Sequence, residues 1–95
     1  MLYLAHMRVV NVPNPPTADF LERKDAEKQM ALELQRSGKW PHLWRVVGEY
    51  SNYSVFDVDS HDELHEILRN LPLFPYLEIQ VTPLATHPSS LAANP

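Results

Sequence analysis

The spacing of apolar residues changes along the chain from strand-like to helix-like and back. β-Branched and large apolar residues fill residues 2–12 and a proline-rich stretch follows at 13–16, which predicts a first strand. Good helix formers then run from Thr17, a preferred N-cap residue type, to Ser37-Gly38, which predicts a long helix. Two strands are predicted at residues 43–47 and 53–58, and residues 48–52 form the hairpin connection between them.

The second half of the chain contains one more helix and one more strand. Ser60 and Glu63 have capping-box spacing, and apolar residues follow at helical spacing up to Leu71, so a helix is predicted that ends at Pro72. Residues 76–81 alternate between apolar and polar, which predicts a last strand before Pro83. The order βαββαβ is that of a ferredoxin-like α+β fold, an antiparallel sheet with both helices on one face. Residues 1–95 are therefore expected to form one domain.

The predicted sheet is apolar on both faces, although the helices cover only one. In the first strand Tyr3, Ala5, Met7 and Val9 point one way, and Leu2, Leu4 and Val10 point the other. A second apolar face needs a second cover, and another copy of the chain is the simplest one. We therefore expect a homo-oligomer, and we expect the proline-containing tail at residues 84–95 to dock on a neighbouring subunit.

Composition narrows the function classes. The net charge is -4 and the eight Lys and Arg residues are dispersed, so no basic stripe for nucleic acid is expected. There is no cysteine for a disulfide or a thiolate metal site and no long apolar run for a membrane span. Two glycines cannot build a phosphate-binding loop. These features predict a cytoplasmic protein and exclude nucleotide-driven chemistry and redox cofactors that need recognisable motifs. If the protein is an enzyme, it is expected to work by acid–base chemistry with its own side chains.

The first predicted helix carries a carboxyl group on its apolar stripe. At about 100° per residue, Glu27 and Lys24 lie within about 40° of Phe20 on the helical wheel. One interpretation is a solvent-exposed ion pair of little net value. The other is that Glu27 lines a partly desolvated pocket, where burial raises its pKa towards the range of a general base and Lys24 limits the rise.

A second group of polar side chains accompanies the predicted hairpin. Arg45 is either a rim residue or an anchor for a carboxylate, which its planar fork fits well. Tyr50 and Asn52 are either turn residues or hydrogen-bond donors. His42 is either a cleft residue or a packed histidine.

A metal site is the weakest interpretation of the histidines. His61 and His65 are four residues apart on the second predicted helix, but the zinc-protease pattern needs Glu after the first His, and Asp62 stands there. The sequence shows no obvious third ligand. No metal is therefore expected.

Several segments together carry a specific resemblance. They are Ala26-Glu27-Lys28, His42-Leu43-Trp44-Arg45, the run from Asn52 to Val58, the run from Leu71 to Tyr76, and His87-Pro88-Ser89-Ser90. In these segments, and over nearly the whole chain, the sequence resembles the muconolactone Δ-isomerase family. The resemblance implies a cofactor-free enzyme of ferredoxin-like subunits, assembled as a decamer. It would move a C=C bond in a small lactone, (S)-muconolactone, in the catechol branch of the β-ketoadipate pathway.

That chemistry suggests roles for the candidate residues. Glu27 would shuttle the proton, and Tyr50 and Asn52 would donate hydrogen bonds to the lactone oxygen of a dienolate intermediate. Arg45 would anchor the substrate carboxylate, with His42 or Lys24 as substitutes.

Two departures from the family pattern bear on the choice of substrate. His6 stands where relatives often have Lys, and Ala85-Thr86 stands where Cys-Arg is expected. A chloromuconolactone dehalogenase and a methylmuconolactone isomerase are therefore alternatives. A non-catalytic binding module on the same fold is a further one.

Overall fold

Four strands and two helices follow one another in the predicted order. The computed structural model describes residues 1–91. The elements are β1 (Leu2–Val9), α1 (Ala18–Arg36), β2 (His42–Arg45), β3 (Ser51–Asp57), α2 (His61–Arg69), a short 3₁₀ turn (Phe74–Tyr76) and β4 (Leu77–Leu84). The strands form one antiparallel sheet in the order β2-β3-β1-β4. This order confirms the predicted ferredoxin-like arrangement.

Both predicted helix starts are confirmed, each with its capping side chain. The Thr17 hydroxyl oxygen accepts a hydrogen bond from the Phe20 N–H at 3.1 Å, and the Ser60 hydroxyl accepts one from the Glu63 N–H at 3.0 Å. Each bond satisfies an N–H group that has no partner inside its own helix. Just past the end of α1, Gly38 has φ +81°, a left-handed conformation that glycine adopts without steric cost.

Several strand boundaries differ from the predicted ones. β1 ends at Val9 rather than at residue 12, and β2 ends at Arg45 rather than at residue 47. β3 begins at Ser51, so Asn52 belongs to a strand and not to the connection. β4 continues through Pro83 to Leu84. Because β4 is an edge strand, a proline there removes no bond to a further strand.

The core lies between the helices and one face of the sheet. The helix-facing side chains of β1 and β3 alternate along each strand and pack against buried residues of both helices, including Ala31 and Leu64. Trp40, only 2% exposed, stacks on Phe56 with ring centroids 4.8 Å apart. This aromatic pair lies in the part of the core nearest to the β2 edge of the sheet.

The other face of the sheet has no cover within the protomer, and it carries large side chains. Trp44 is 54% exposed and stacks on His42, while Tyr53 stacks on His6 of the adjacent strand. Leu2 is also exposed there. We call this side of the sheet the open face. The sequence prediction of an apolar second face therefore applies to the folded chain, although aromatic rings and histidines form much of it.

The chain beyond β4 continues to Leu91 within the described part. Leu84, the first residue of the predicted tail, belongs to β4, and residues 92–95 of that tail lie outside the described residues. Neither α1 nor α2 has the length and apolar character needed to cross a membrane.

Candidate active site

A cavity of about 260 Å³ opens between α1, the end of the sheet that carries β2, and the connection after α2. Its volume is near the lower end of what small-molecule sites in proteins occupy. Five of the six candidate site residues line it, namely Lys24, Glu27, Arg45, Tyr50 and Asn52. The fold thus brings together side chains from a helix, two strands and a turn.

Glu27 is half-buried in the wall of this cavity. Its Oε1 accepts a hydrogen bond from the Leu73 N–H at 3.0 Å. Burial raises the pKa of the Glu27 carboxyl above its usual value, and the bond from Leu73 opposes part of that rise. The structure therefore favours the second interpretation of the helical wheel, in which Glu27 lies in a desolvated pocket.

The connection that holds Glu27 is itself fixed to α1. Arg23 donates a hydrogen bond from its guanidinium to the Pro72 carbonyl at 3.0 Å. Phe20, at the start of α1, meets Tyr76 edge to face with ring centroids 5.1 Å apart. These contacts flank the Leu73 N–H and hold it at the Glu27 carboxyl.

Two cationic side chains lie over the ring of Tyr50. The Arg45 Cζ is 5.3 Å from the ring centroid and the Lys24 Nζ is 6.0 Å from it. Both distances allow cation–π attraction. Tyr50 is in turn tied to the sheet through its carbonyl, which accepts a hydrogen bond from the Val9 N–H at 3.0 Å. The result is a positively charged cluster at the cavity, in which Arg45 and Lys24 are both exposed.

Asn52 reaches the cavity from β3. It is half-buried, and its Oδ1 accepts a hydrogen bond from the Ser54 hydroxyl at 2.7 Å. The two N–H groups of its carboxamide are donors. Arg45 pairs with Asn52 across β2 and β3, so the guanidinium and the carboxamide lie on neighbouring strands of the same face.

His42 does not line the cavity. It lies in β2 three residues before Arg45, and successive strand residues point to opposite faces of the sheet. His42 therefore lies on the open face, where its ring stacks on Trp44 with centroids 5.0 Å apart.

The histidines of α2 do not line the cavity either. The His61 Nδ1 is hydrogen-bonded to the Tyr3 hydroxyl. Within residues 1–91, no three His, Cys, Asp or Glu side chains come together as a group that could hold a metal ion. The polar groups of the cavity are one carboxyl (Glu27), three cations (Lys24, Lys28 and Arg45) and neutral polar side chains, a set suited to acid–base chemistry on an anionic ligand.

Comparisons with known proteins agree on one family. A family model described as muconolactone delta-isomerase matches residues 1–90. The chain belongs to this family. A muconolactone Delta-isomerase of Cupriavidus pinatubonensis is 60% identical over 92 residues, which cover 96% of this chain and 99% of that protein. One of Rhodococcus opacus is 65% identical over 65 residues, 68% of this chain and 70% of its own.

A solved structure agrees with this assignment. The crystal structure of a muconolactone isomerase at 3.3 Å resolution matches with a TM-score of 0.89 and 48% identity, over 96% of this chain and 95% of the other. The family resemblance and the predicted fold class are thereby confirmed.

Several residues that line the cavity of this muconolactone isomerase family member are not among the predicted site residues. Trp40 and Leu73 line the cavity, as do Leu43, Gln35 and Leu77. Leu43 shares a strand face with Arg45, a signal that strand alternation contains. Leu73 contributes through its backbone N–H, and a side-chain pattern carries no signal for such a contact.

Proposed function

We propose that this protein converts (S)-muconolactone to 3-oxoadipate enol-lactone, in the catechol branch of the β-ketoadipate pathway, without a cofactor. The observation that carries the proposal is the position of Glu27. Its carboxyl group has a raised pKa and lines a small cavity next to a cationic cluster. Membership of the muconolactone delta-isomerase family supports the same substrate class.

The reaction is a proton transfer that moves a C=C bond. A base removes a proton from the ring carbon that bears the acetate arm. The electron pair then spreads through a dienolate to the carbonyl oxygen of the lactone, which is the lactone oxygen meant below. The proton then returns to the carbon next to the lactone carbonyl, so no atom or electron is gained or lost overall. Such a reaction needs a base that keeps the proton, donors at the lactone oxygen, and a cation for the acetate arm.

Glu27 fits the role of the proton shuttle. A carboxylate with a raised pKa binds a proton more readily near neutral pH than an exposed one does. Because the Leu73 N–H binds Oε1, the other oxygen, Oε2, is the proposed atom that takes the proton. The backbone bond holds the carboxyl in one orientation for both transfer steps.

Arg45 and Lys24 fit the role of the substrate anchor. The guanidinium of Arg45 can bind both oxygens of the acetate carboxylate, and the Lys24 ammonium adds a second positive charge near the same Tyr50 ring. His42, on the open face, takes no part in this proposal. The anchor would set the ring carbon beside Glu27.

Tyr50 and Asn52 are the proposed donors to the lactone oxygen. Tyr50 carries a hydroxyl at the cavity, and Asn52 offers its carboxamide N–H groups while Ser54 binds the amide oxygen. Donors fixed before the reaction stabilise negative charge as it develops on an oxygen.

We further propose that copies of the chain associate through the open face, within the decamer that the resemblance implies. Exposed Trp44, Tyr53 and Leu2 give this face an apolar character that association would remove from water. The tail at residues 84–95 would dock on a neighbouring subunit. A cytoplasmic location is proposed as well, since a chain without cysteine has no disulfide to form.

A spectrophotometric assay of the purified protein with (S)-muconolactone tests the proposed reaction. We expect conversion to the enol-lactone, with the product identified by NMR. A parallel incubation with 5-chloromuconolactone, followed by measurement of chloride, distinguishes an isomerase from a dehalogenase. A folded protein that converts neither lactone would contradict the proposal and leave a binding module on the same fold.

A further inference from the structure

Ser54 is a buried polar residue that lies behind the cavity wall. It lies on β3, its exposure is 0%, and it pairs with Ala5 of β1. It is not one of the residues that line the cavity, and its hydroxyl donates to the Asn52 Oδ1 at 2.7 Å. The two residues are two positions apart on one strand, so both side chains point to the helix-facing side.

A carboxamide has two chemically opposite ends. If the amide plane of Asn52 turned by half a rotation about its last side-chain bond, the oxygen would take the place of the N–H groups. The oxygen would then repel the negative charge that the proposed reaction places on the lactone oxygen. In the observed orientation the buried Ser54 hydroxyl donates its hydrogen to Oδ1, and it makes no other side-chain hydrogen bond within residues 1–91. After such a turn the hydroxyl would face an N–H group and could only accept from it, which would leave the buried O–H hydrogen without an acceptor, so the observed orientation is favoured.

We infer that Ser54 is a positioning residue, which holds the Asn52 carboxamide so that its N–H groups face the substrate oxygen. This inference rests on the proposed function. Ser54 contacts no substrate atom, so its effect passes entirely through Asn52. Because the charge on the lactone oxygen is largest in the transition state and the dienolate, the loss of Ser54 should lower kcat more than it raises KM.

A double-mutant cycle tests this inference. In the wild-type background we expect Ser54→Ala to lower kcat about tenfold, the size of one net hydrogen bond, with KM changed less than about twofold. Asn52→Ala should lower kcat by about 10²-fold or more, as the loss of an oxyanion donor does. In the Asn52→Ala background, Ser54→Ala should have no further effect on kcat, since no carboxamide remains to be held.

A matched control removes another buried hydroxyl from the same face of the sheet. Tyr3 is 3% exposed, is bonded to His61 and lies outside the cavity, so Tyr3→Phe should keep the wild-type kcat. If Ser54→Ala does not fold, Ser54→Cys provides a second variant, because its thiol fills similar space and is only a weak donor. A loss of kcat is expected for that variant too, again only where Asn52 is present.

Two results would overturn the inference, and they differ from a failure of the proposed function. Ser54→Ala could lower kcat by the same factor in both backgrounds, which would show a structural effect that does not pass through Asn52. Alternatively, Asn52→Ala could retain full kcat in a wild-type enzyme that converts muconolactone, which would leave the isomerase standing and remove the Ser54 role. Absence of turnover by the wild type would instead refute the proposed function itself.

Discussion

Glu27 combines half-burial with a backbone hydrogen bond from Leu73 at 3.0 Å. Burial penalises the charged form and raises the pKa of the carboxyl. The same penalty that makes Glu27 a useful base makes its ionised form unfavourable for the folded chain. Replacing Glu27 by a neutral residue should therefore make the folded chain more stable at neutral pH and the enzyme less active.

The sign of this effect on stability follows from linkage. The pKa of Glu27 is higher in the folded chain than its value of 4.5 in the unfolded one, so the unfolded chain loses this proton first as the pH rises. The free energy of unfolding therefore falls as the pH rises from 4.5 to the higher pKa of the folded chain. Glu27→Gln has no proton to lose and keeps an oxygen for the Leu73 N–H. We expect a higher Tm than wild type at pH 7 to 8, and a difference that shrinks as the pH falls below about 4.5.

The control for this measurement is Glu22→Gln, which removes an exposed carboxyl from the same helix. It should change the Tm little at neutral pH, because a substitution at an exposed position usually changes stability by no more than about 0.5 kcal/mol. A Glu27→Gln variant less stable than wild type at neutral pH would contradict the desolvated environment.

Arg45 is the next prediction at the scale of single residues. Arg45→Lys keeps the charge but loses the planar fork, and Arg45→Ala loses both. A hydrogen bond to a charged group contributes about 1.5–3 kcal/mol, so Arg45→Ala should raise KM for (S)-muconolactone roughly 10- to 150-fold and Arg45→Lys should raise it less. Steady-state kinetics at fixed pH measures both. Unchanged constants for Arg45→Ala would remove this residue from the anchor role.

Many of the residues that line the cavity could be predicted from the sequence. Helical periodicity placed Glu27 on the buried side of α1, and the structure finds it half-buried there. His42 shows where that reasoning went no further. The apolar pattern predicts a strand only from Leu43, whereas His42 already belongs to β2 and strand alternation turns its side chain to the open face. The Leu73 N–H was beyond prediction, because any residue type supplies the same backbone donor.

At the scale of elements, the order of helices and strands was predictable while strand ends were not. Both helices begin at side chains with a capping role, so Thr17 and Ser60 fixed their starts correctly. Strand ends depend on pairing with other strands. Pro83 looked like a terminator, but β4 is an edge strand and pairing with β1 extends to Leu84.

The α2 cap gives a prediction about stability alone. Ser60→Ala removes the acceptor of the Glu63 N–H, and the loss of such a cap costs about 1 kcal/mol. We expect Tm to fall by roughly 4–8 °C, with kcat on (S)-muconolactone unchanged below the unfolding transition. Ser60→Asp, which retains a capping oxygen, is the matched control and should lose less. A Ser60→Ala variant with the wild-type Tm would show that α2 does not depend on this cap.

At the scale of the whole molecule, the open face is a surface with large exposed side chains that no other element within residues 1–91 covers. Its large exposed rings lie in register across neighbouring strands, with Trp44 opposite Tyr53 and Tyr53 opposite His6. Removing such a surface from water is favourable by about 25 cal/mol per Å² of apolar area. This is the physical basis of the proposed association between copies.

A charge placed on the open face should disrupt that assembly. We expect Trp44→Lys to shift the mass measured by sedimentation velocity towards smaller species, because a lysine ammonium in a packed interface would be desolvated. Gln29→Lys adds the same charge at an exposed position on α1 and serves as the control. An unchanged mass for Trp44→Lys would show that the open face is not the surface through which copies associate.

The central claim is that Glu27 carries the proton during isomerisation. The most direct test is the kcat of Glu27→Gln with saturating (S)-muconolactone, compared with wild type at the same pH. Removal of a general base that moves the proton in both steps should lower kcat by about 10²- to 10⁴-fold. A kcat equal to that of the wild type would contradict the claim, even in an enzyme that converts the lactone.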